Sequence, residues 1–133
     1  MKKVLTIGVF DLLHYGHIAL FKRAKALGDY LIVAVQEDEF VTLFKPGIEL
    51  RFPLKKRMED IVRTGLADEV ITYRCASEIV RTVDFSIFAV GEDQKNASFQ
   101  EAFAWCAAKK KEIVRLPRTP GISSTELRLN VFS

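Results

Sequence analysis

The sequence alternates short apolar runs with segments whose apolar residues follow helical spacing. Residues 3–9, 30–35 and 85–90 are nearly all apolar and rich in β-branched side chains, which is typical of strands covered on both faces. Residues 16–27 and 98–111 instead carry apolar positions at helical spacing. Because strands and helices alternate strictly, we predict βαβ units in a three-layer α/β/α fold with a five-stranded, mainly parallel sheet.

The remaining predicted elements are shorter. They are strands over residues 70–73 and 112–116 and helices over residues 53–64, 78–83 and 124–129. Residues 36–52 are predicted to be one long connection, a length that usually marks a functional loop in a small domain. In a parallel sheet of this kind the ligand crevice lies beyond the carboxyl ends of the strands, where the strand order reverses.

Composition limits the classes of function that are open to the chain. Its 133 residues, 49% hydrophobic, predict a single domain over residues 1–133 that needs no metal or disulfide to fold. The net charge of +3 is too small for a protein that binds nucleic acid or a membrane surface in bulk. Cys75 and Cys106 have no C-x-x-C spacing, and no apolar run approaches the roughly 18 residues of a membrane span. We therefore expect a cytoplasmic protein with reduced cysteines.

The loop after the first strand carries the most specific signal. It contains the only two histidines of the chain, His14 and His17, with Gly16 between them, ahead of a predicted helix N-terminus. Backbone N–H groups and the helix dipole favour a phosphate at such a position. The loop matches neither G-x-G-x-x-G nor the P-loop pattern. Solvated loop histidines or metal ligands are the alternatives, but a zinc site would need further His or Cys ligands nearby.

Residues 8–17 resemble the H-x-G-H signature of the nucleotidylyltransferase superfamily, in the form F-D-L-L-H-x-G-H of its cytidylyltransferase-like branch. Asp68-Glu69-Val70, Gly91-Glu92-Asp93 and the segment R-T-P-G-I-S-S-T at 118–125 follow in the family's order. This order and spacing are similar to those of bacterial glycerol-3-phosphate cytidylyltransferases over nearly the full length. The resemblance implies a Rossmann-like fold.

The resemblance also implies an activity. In this family the phosphate of a substrate attacks the α-phosphorus of a nucleoside triphosphate, and pyrophosphate leaves without a covalent enzyme intermediate. We expect CTP as donor, a small phosphorylated alcohol as acceptor with glycerol 3-phosphate first, Mg²⁺ accompanying the triphosphate, and a homodimer. The alternatives are another phosphate or phosphonate acceptor and an adenylyltransferase of the heptose-phosphate or flavin type. A nucleotide-binding module without turnover and a flavodoxin-like electron carrier are competing classes.

The family's functional positions carry over onto this sequence as a catalytic and a nucleotide-binding set. The catalytic set is His14, His17, Lys45 and Arg57. The nucleotide-binding set is Gly8, Val9, Phe10, Asp11, Gly16, Gly91, Asp93, Arg118, Thr119, Ile122, Ser123, Ser124 and Thr125. No metal ligand is assigned.

Several of these residues also have a plainer interpretation. Lys45 is equally typical of a surface lysine. For Arg57 a solvated helix arginine is the less favoured alternative, and for Asp11 the less favoured alternative is a cap on the first helix. The serines and threonine at 123–125 are good N-cap residues. Two positions depart from the family: Val9 stands where Thr or Ser is common, and Gln94 stands where a tryptophan is usual. The second departure leaves the acceptor open.

Overall fold

The computed structural model of the protein describes residues 1–91, 94 and 96–117. In chain order the elements are β1 (Lys3–Gly8), α1 (Tyr15–Ala26), β2 (Tyr30–Gln36), α2 (Asp38–Phe44), α3 (Leu54–Thr64), β3 (Glu69–Tyr73), α4 (Ala76–Thr82), β4 (Ile87–Gly91), α5 (Ala97–Ala108) and β5 (Glu112–Leu116). The helix predicted over residues 124–129 lies outside the described residues.

The five strands form one sheet in the order β3-β2-β1-β4-β5, and each described pairing is parallel. β1 is central: Val4 lies opposite Leu31 of β2 on one side and opposite Ile87 of β4 on the other. The strand order reverses between β1 and β4. The crevice predicted for the ligand therefore lies beyond the carboxyl end of β1, where the histidine-bearing loop begins.

Apolar side chains fill both faces of the sheet. On one face α1 and α3 pack through Phe21, Ala24 and Ile61, and on the other α4 and α5 pack through residues such as Val80 and Phe103. Alternate residues of each strand enter the two layers because successive strand side chains point to opposite faces. The predicted three-layer, Rossmann-like α/β/α fold is confirmed. No helix in the described part of the chain is long and apolar enough to cross a membrane.

The turn between α1 and β2 depends on a close approach of two backbone segments at Gly28. Leu27 is the C-cap residue, and Gly28 follows it. A Cβ atom at position 28 would lie 2.5 Å from the carbonyl oxygen of Lys2, and the backbone N–H of Asp29 donates to that oxygen at 2.8 Å. Glycine is therefore needed at position 28 for close backbone approach.

The prediction that residues 36–52 form one long connection was wrong, because this segment contains α2. Asp38 and Glu39 lie in the first turn of this helix, where the helix dipole favours negative charge, and Val41 anchors it in the core. The three lysines that follow α5 differ in exposure. Lys109 and Lys110 are exposed, but Lys111 is partly buried and its Nζ donates to the Phe85 carbonyl at 2.6 Å.

Candidate active site

The loop between β1 and α1 is held in an unusual backbone conformation. Phe10 and Leu12 have φ values of 53° and 50°, a left-handed region that side chains other than glycine rarely adopt. The buried carboxylate of Asp11 accepts hydrogen bonds from the backbone N–H groups of Arg51 (2.8 Å) and Phe52 (3.0 Å). This contact ties the loop to the segment that leads into α3. Strain of this kind persists only where surrounding structure enforces it, and it is common at functional sites.

The two histidines lie at the start of α1, and the side chain of each accepts a backbone N–H there. His14 is the N-cap residue, and its Nδ1 accepts from the N–H of Gly16 at 3.0 Å. The Nδ1 of His17 accepts from the N–H of His14 at 3.3 Å, which completes a capping box. The imidazole rings stack with centroids 3.9 Å apart, and Phe10 meets the His17 ring edge-on. His14, and not Asp11, therefore caps the first helix.

Both imidazoles are neutral in this arrangement. Burial, with a smaller contribution from neighbouring His14, lowers the pKa of His17 from 6.5 to about 3. Burial also lowers the pKa of His14. Because each Nδ1 accepts a backbone N–H, the ring proton of each histidine is assigned to Nε2. The Nε2 of His14 is buried and has no hydrogen-bond partner among the described residues, so His14 presents an N–H donor suited to a phosphate oxygen.

The depressed pKa of His17 makes stability pH-dependent. The unfolded chain binds a proton near pH 6.5 while folded His17 does not, so the contribution is present above pH 6.5 and is lost as the pH falls towards 3. His17 keeps some exposure to solvent, so we expect a slope below the limiting value of about 1.4 kcal/mol per pH unit. Urea denaturation at pH 7.5, 6.0 and 5.0 measures it.

The matched variant for this measurement is His17→Gln, because glutamine at this position retains a capping box without a titrating ring. We expect a shallower loss of unfolding free energy between pH 6.5 and 5 in the variant than in the unmodified protein. All carboxylates titrate in both proteins, so their contribution cancels in the comparison. Equal slopes would contradict the assignment of a depressed pKa to His17.

A cleft opens beside the histidine loop, and we refer to it as the histidine cleft. It is lined by Ile7, Gly8, Val9, Phe10, Asp11, His17, Leu20, Lys45, Ile48, Gly91 and Gln94. Most of the predicted positions that the structure describes therefore lie on one surface. Gly16 is adjacent in the first turn of α1, and His14 stacks on His17.

Arg57 occupies a place that the sequence did not indicate. Its side chain is fully buried, whereas its plainer interpretation was a solvated helix arginine. Nε donates to the carbonyl of Phe52 at 3.1 Å, Nη1 donates to the carbonyl of Val9 at 2.9 Å, and Nη2 forms an ion pair with Asp38. Arg57 thus joins α3 and the first residue of α2 to the histidine loop.

Lys45 follows directly after α2 and is its C-cap residue. The residue is exposed, and it lines the histidine cleft together with His17. Its ammonium group is the one cation among the described residues that line this cleft. This position fits the interpretation of Lys45 as a phosphate ligand.

The structure leaves part of the predicted site untested and adds residues that were missed. Asp93, Arg118, Thr119, Ile122, Ser123, Ser124 and Thr125 lie outside the described residues, so their assignment stays a prediction. The sequence reasoning missed Asp38, Gln36 and Ile48. Asp38 and Gln36 lie at or just beyond the carboxyl end of β2, and the crevice rule for parallel sheets was the signal that would have found them.

The family follows from a comparison of sequences. The sequence pattern of the cytidylyltransferase-like family matches residues 5–130, a range that includes the histidine loop and the cleft residues. The chain belongs to the cytidylyltransferase-like family, and it is a nucleotidyltransferase. The prediction of family and enzyme class from the H-x-G-H segment is confirmed.

Individual relatives differ in activity. The chain is similar to the glycerol-3-phosphate cytidylyltransferase of Bacillus spizizenii, with 36% identity covering 100% of this chain and 99% of that protein. It is also 35% identical to an FAD synthase of Thermococcus onnurineus, covering 96% of this chain and 78% of that enzyme. The crystal structure of a lipopolysaccharide core biosynthesis protein from Thermoplasma volcanium shares the fold with a TM-score of 0.71 at 30% identity, covering 92% of this chain and 99% of that one.

Proposed function

We propose that the protein transfers CMP from CTP to the phosphate of a small phosphorylated alcohol, with glycerol 3-phosphate as the first acceptor. The observation that carries the proposal is the pair of neutral N–H donors at the start of α1, beside a cleft that Lys45 also lines. The 36% identity with a glycerol-3-phosphate cytidylyltransferase over the whole chain supports this choice of nucleotide and acceptor.

The chemistry requires positioning and charge stabilisation. An oxygen of the acceptor phosphate attacks the α-phosphorus of CTP, the bond from that phosphorus to the oxygen bridging to the β-phosphate breaks, and pyrophosphate leaves with the electron pair. The Nε2–H groups of His14 and His17 donate to the oxygens on which negative charge increases. Donors fixed by the capping box need no reorganisation during the reaction, and Lys45 supplies positive charge for the phosphates.

Mg²⁺ is proposed to accompany the triphosphate. Among the described residues, no group of three or more His, Cys, Asp or Glu side chains could hold a metal ion. Mg²⁺ usually keeps several waters and binds through one or two carboxylates together with substrate phosphates. The ion would then be carried mainly by the nucleotide, where it would neutralise charge on the phosphate oxygens.

An adenylyl transfer of the FAD synthase kind is the second candidate. The 35% identity with an FAD synthase is nearly as high as that with the glycerol-3-phosphate enzyme. The two candidates differ in nucleotide and in acceptor size. One experiment that varies both nucleotide and acceptor therefore distinguishes the two candidate functions.

The test is pyrophosphate release from each of the four nucleoside triphosphates, combined with glycerol 3-phosphate, phosphoethanolamine, phosphocholine and FMN. We expect the highest kcat/KM with CTP and glycerol 3-phosphate. Fastest release with ATP and FMN would support the FAD synthase activity instead. Calorimetric binding of CTP without release from any pair would contradict both enzymes and favour a nucleotide-binding module.

A further inference from the structure

The aromatic ring of Phe10 packs against the second histidine of the pair. Phe10 lies in the loop between β1 and α1, and its ring centroid is 5.4 Å from that of His17, with the two ring planes at 89°. It also contacts the ring of Phe21, with centroids 5.1 Å apart. His17 and Phe21 are four positions apart in α1, so they lie on the same face of that helix. The Phe10 ring therefore covers a strip of α1 that includes His17.

Phe10 reaches this position through a backbone conformation that phenylalanine rarely adopts. Its φ is 53°, and the residue is only 5% exposed although it lines the histidine cleft. Burial of a large aromatic ring is favourable and offsets the cost of the left-handed conformation. Because the ring is buried, it presents little surface to a nucleotide, and its described ring contacts are made with α1.

The last residue of β1 supplies the space for the ring. A Cβ atom at Gly8 would lie 2.8 Å from Cζ, 3.0 Å from Cε1 and 3.2 Å from Cε2 of Phe10. Carbon atoms that are not bonded to each other pack at about 3.5–4.0 Å, so a methyl group at this position would push the ring away. Gly8 is not among the glycines with a positive φ, so its backbone conformation does not itself require glycine. The space needed by the tip of the Phe10 ring explains the glycine.

Several contacts orient the imidazole of His17. Its Nδ1 accepts the N–H of His14 at 3.3 Å, and its ring stacks on that of His14 with centroids 3.9 Å apart. A distance of 3.3 Å is long for a hydrogen bond from a backbone N–H, so this bond alone holds the ring weakly. The perpendicular contact with Phe10 restricts rotation of the imidazole about its side-chain bonds. The direction in which Nε2 points therefore depends on Phe10.

We propose that Phe10 is a positioning residue for His17: its ring, in the space left by Gly8, holds the imidazole in the orientation in which Nε2–H donates to the phosphate oxygens of the substrate. This inference rests on the proposed nucleotidyl transfer, in which His17 is a donor. The family resemblance places Phe10 in the nucleotide-binding set, whereas in this proposal its side chain acts on His17. A misplacement of about 1 Å can cost about 10²-fold in rate, so the position of the ring affects kcat.

Phe10→Leu is the first test. Leucine keeps the position apolar but does not fill the space between Gly8 and His17. We expect kcat for pyrophosphate release with CTP and the best acceptor to fall about ten- to a hundredfold, while the KM for CTP stays within about threefold.

Ile61→Val is the matched control, because it shortens another buried side chain in the same apolar cluster as Phe10. We expect it to lower the midpoint of thermal unfolding, as Phe10→Leu also does, and to leave kcat within about twofold. If Ile61→Val lowers kcat as much as Phe10→Leu, a loosened core is the cause of the loss and the inference is overturned.

The second test repeats Phe10→Leu in a His17→Gln background, where a capping box is retained without an imidazole. If Phe10 acts through His17, the added substitution lowers the remaining kcat by less than about twofold, because no ring is left to position. Radiolabelled CTP makes the low remaining rate measurable. A fall by the same factor in both backgrounds means that Phe10 acts independently of His17, and this result overturns the inference.

The third test displaces the ring from its other side. Gly8→Ala is expected to lower kcat about as much as Phe10→Leu, because the new methyl group occupies the place of the ring tip. In the combined variant the shorter leucine leaves room for this methyl group, so kcat should fall no more than about twofold below that of Phe10→Leu alone. If Gly8→Ala instead raises the KM for CTP equally in both backgrounds, the glycine makes room for the nucleotide and the inference is overturned.

The outcomes separate this inference from the proposed function. If the unmodified protein releases pyrophosphate and Phe10→Leu retains its kcat, the inference is overturned while the transfer activity stands. Absence of pyrophosphate release with every nucleotide and acceptor overturns the proposed function itself, and the inference with it.

Discussion

His14→Asn is expected to reduce kcat by about 10²- to 10³-fold while the protein remains folded. Asparagine is among the best N-cap residues, and its Oδ1 can accept the N–H of Gly16 as His14 Nδ1 does. The substitution therefore preserves the start of α1 and removes the Nε2–H donor. Loss of one preorganised donor to a developing phosphate charge typically costs a factor of this size. Steady-state pyrophosphate release with CTP and the best acceptor measures it.

Two further variants locate the cause of this loss. His14→Ala removes both the donor and the cap, so we expect the same loss of kcat together with about 1 kcal/mol of stability. Lys22→Gln changes an exposed residue of the same helix and should leave both quantities unchanged. If His14→Asn retains full activity, the imidazole acts only as a helix cap, and the site at the start of α1 is assigned wrongly.

The sheet was largely predictable from the sequence because its strands are buried on both faces. Continuous apolar runs such as residues 3–9 and 30–35 have few alternatives to central parallel strands. α2 was not predicted, because seven residues carry little periodic signal and its one buried anchor is Val41. β4 begins at Ile87, two residues later than the apolar run suggested. Such boundaries depend on tertiary contacts that a local pattern does not contain.

The candidate site was predictable where one segment carries it. Residues 8–17 are contiguous, so their residue types could be interpreted without knowledge of the fold. Arg57 and Asp38 are 19 positions apart, and Val9 lies 48 positions from Arg57. No local spacing reveals that these three residues meet. Mg²⁺, the homodimer and the cytoplasmic location depend on molecules other than this chain and stay predictions.

Arg57 is the residue whose removal should destabilise the protein most. Arg57→Met keeps the apolar stem but removes three hydrogen bonds, and it leaves the carbonyls of Val9 and Phe52 without their partner. Each buried polar group left unpaired costs about 1–3 kcal/mol, so we expect a loss of about 3–5 kcal/mol in unfolding free energy. Urea denaturation measures this loss, which is a large share of the roughly 5–15 kcal/mol that stabilises a typical domain.

The matched variants at this position distinguish positioning from direct catalysis. The Asp38 side chain is 49% exposed, so Asp38→Asn should cost less than about 1 kcal/mol. Arg57→Lys keeps the charge but cannot reach all three acceptors, because an ammonium group lacks the planar fork of a guanidinium. We expect it to be intermediate in stability and to lower kcat, since the strained loop that carries His14 loses its fixed support at Val9. A large loss of kcat in Arg57→Met with less than 1 kcal/mol of destabilisation would instead mean that Arg57 leaves its buried position and contacts the substrate.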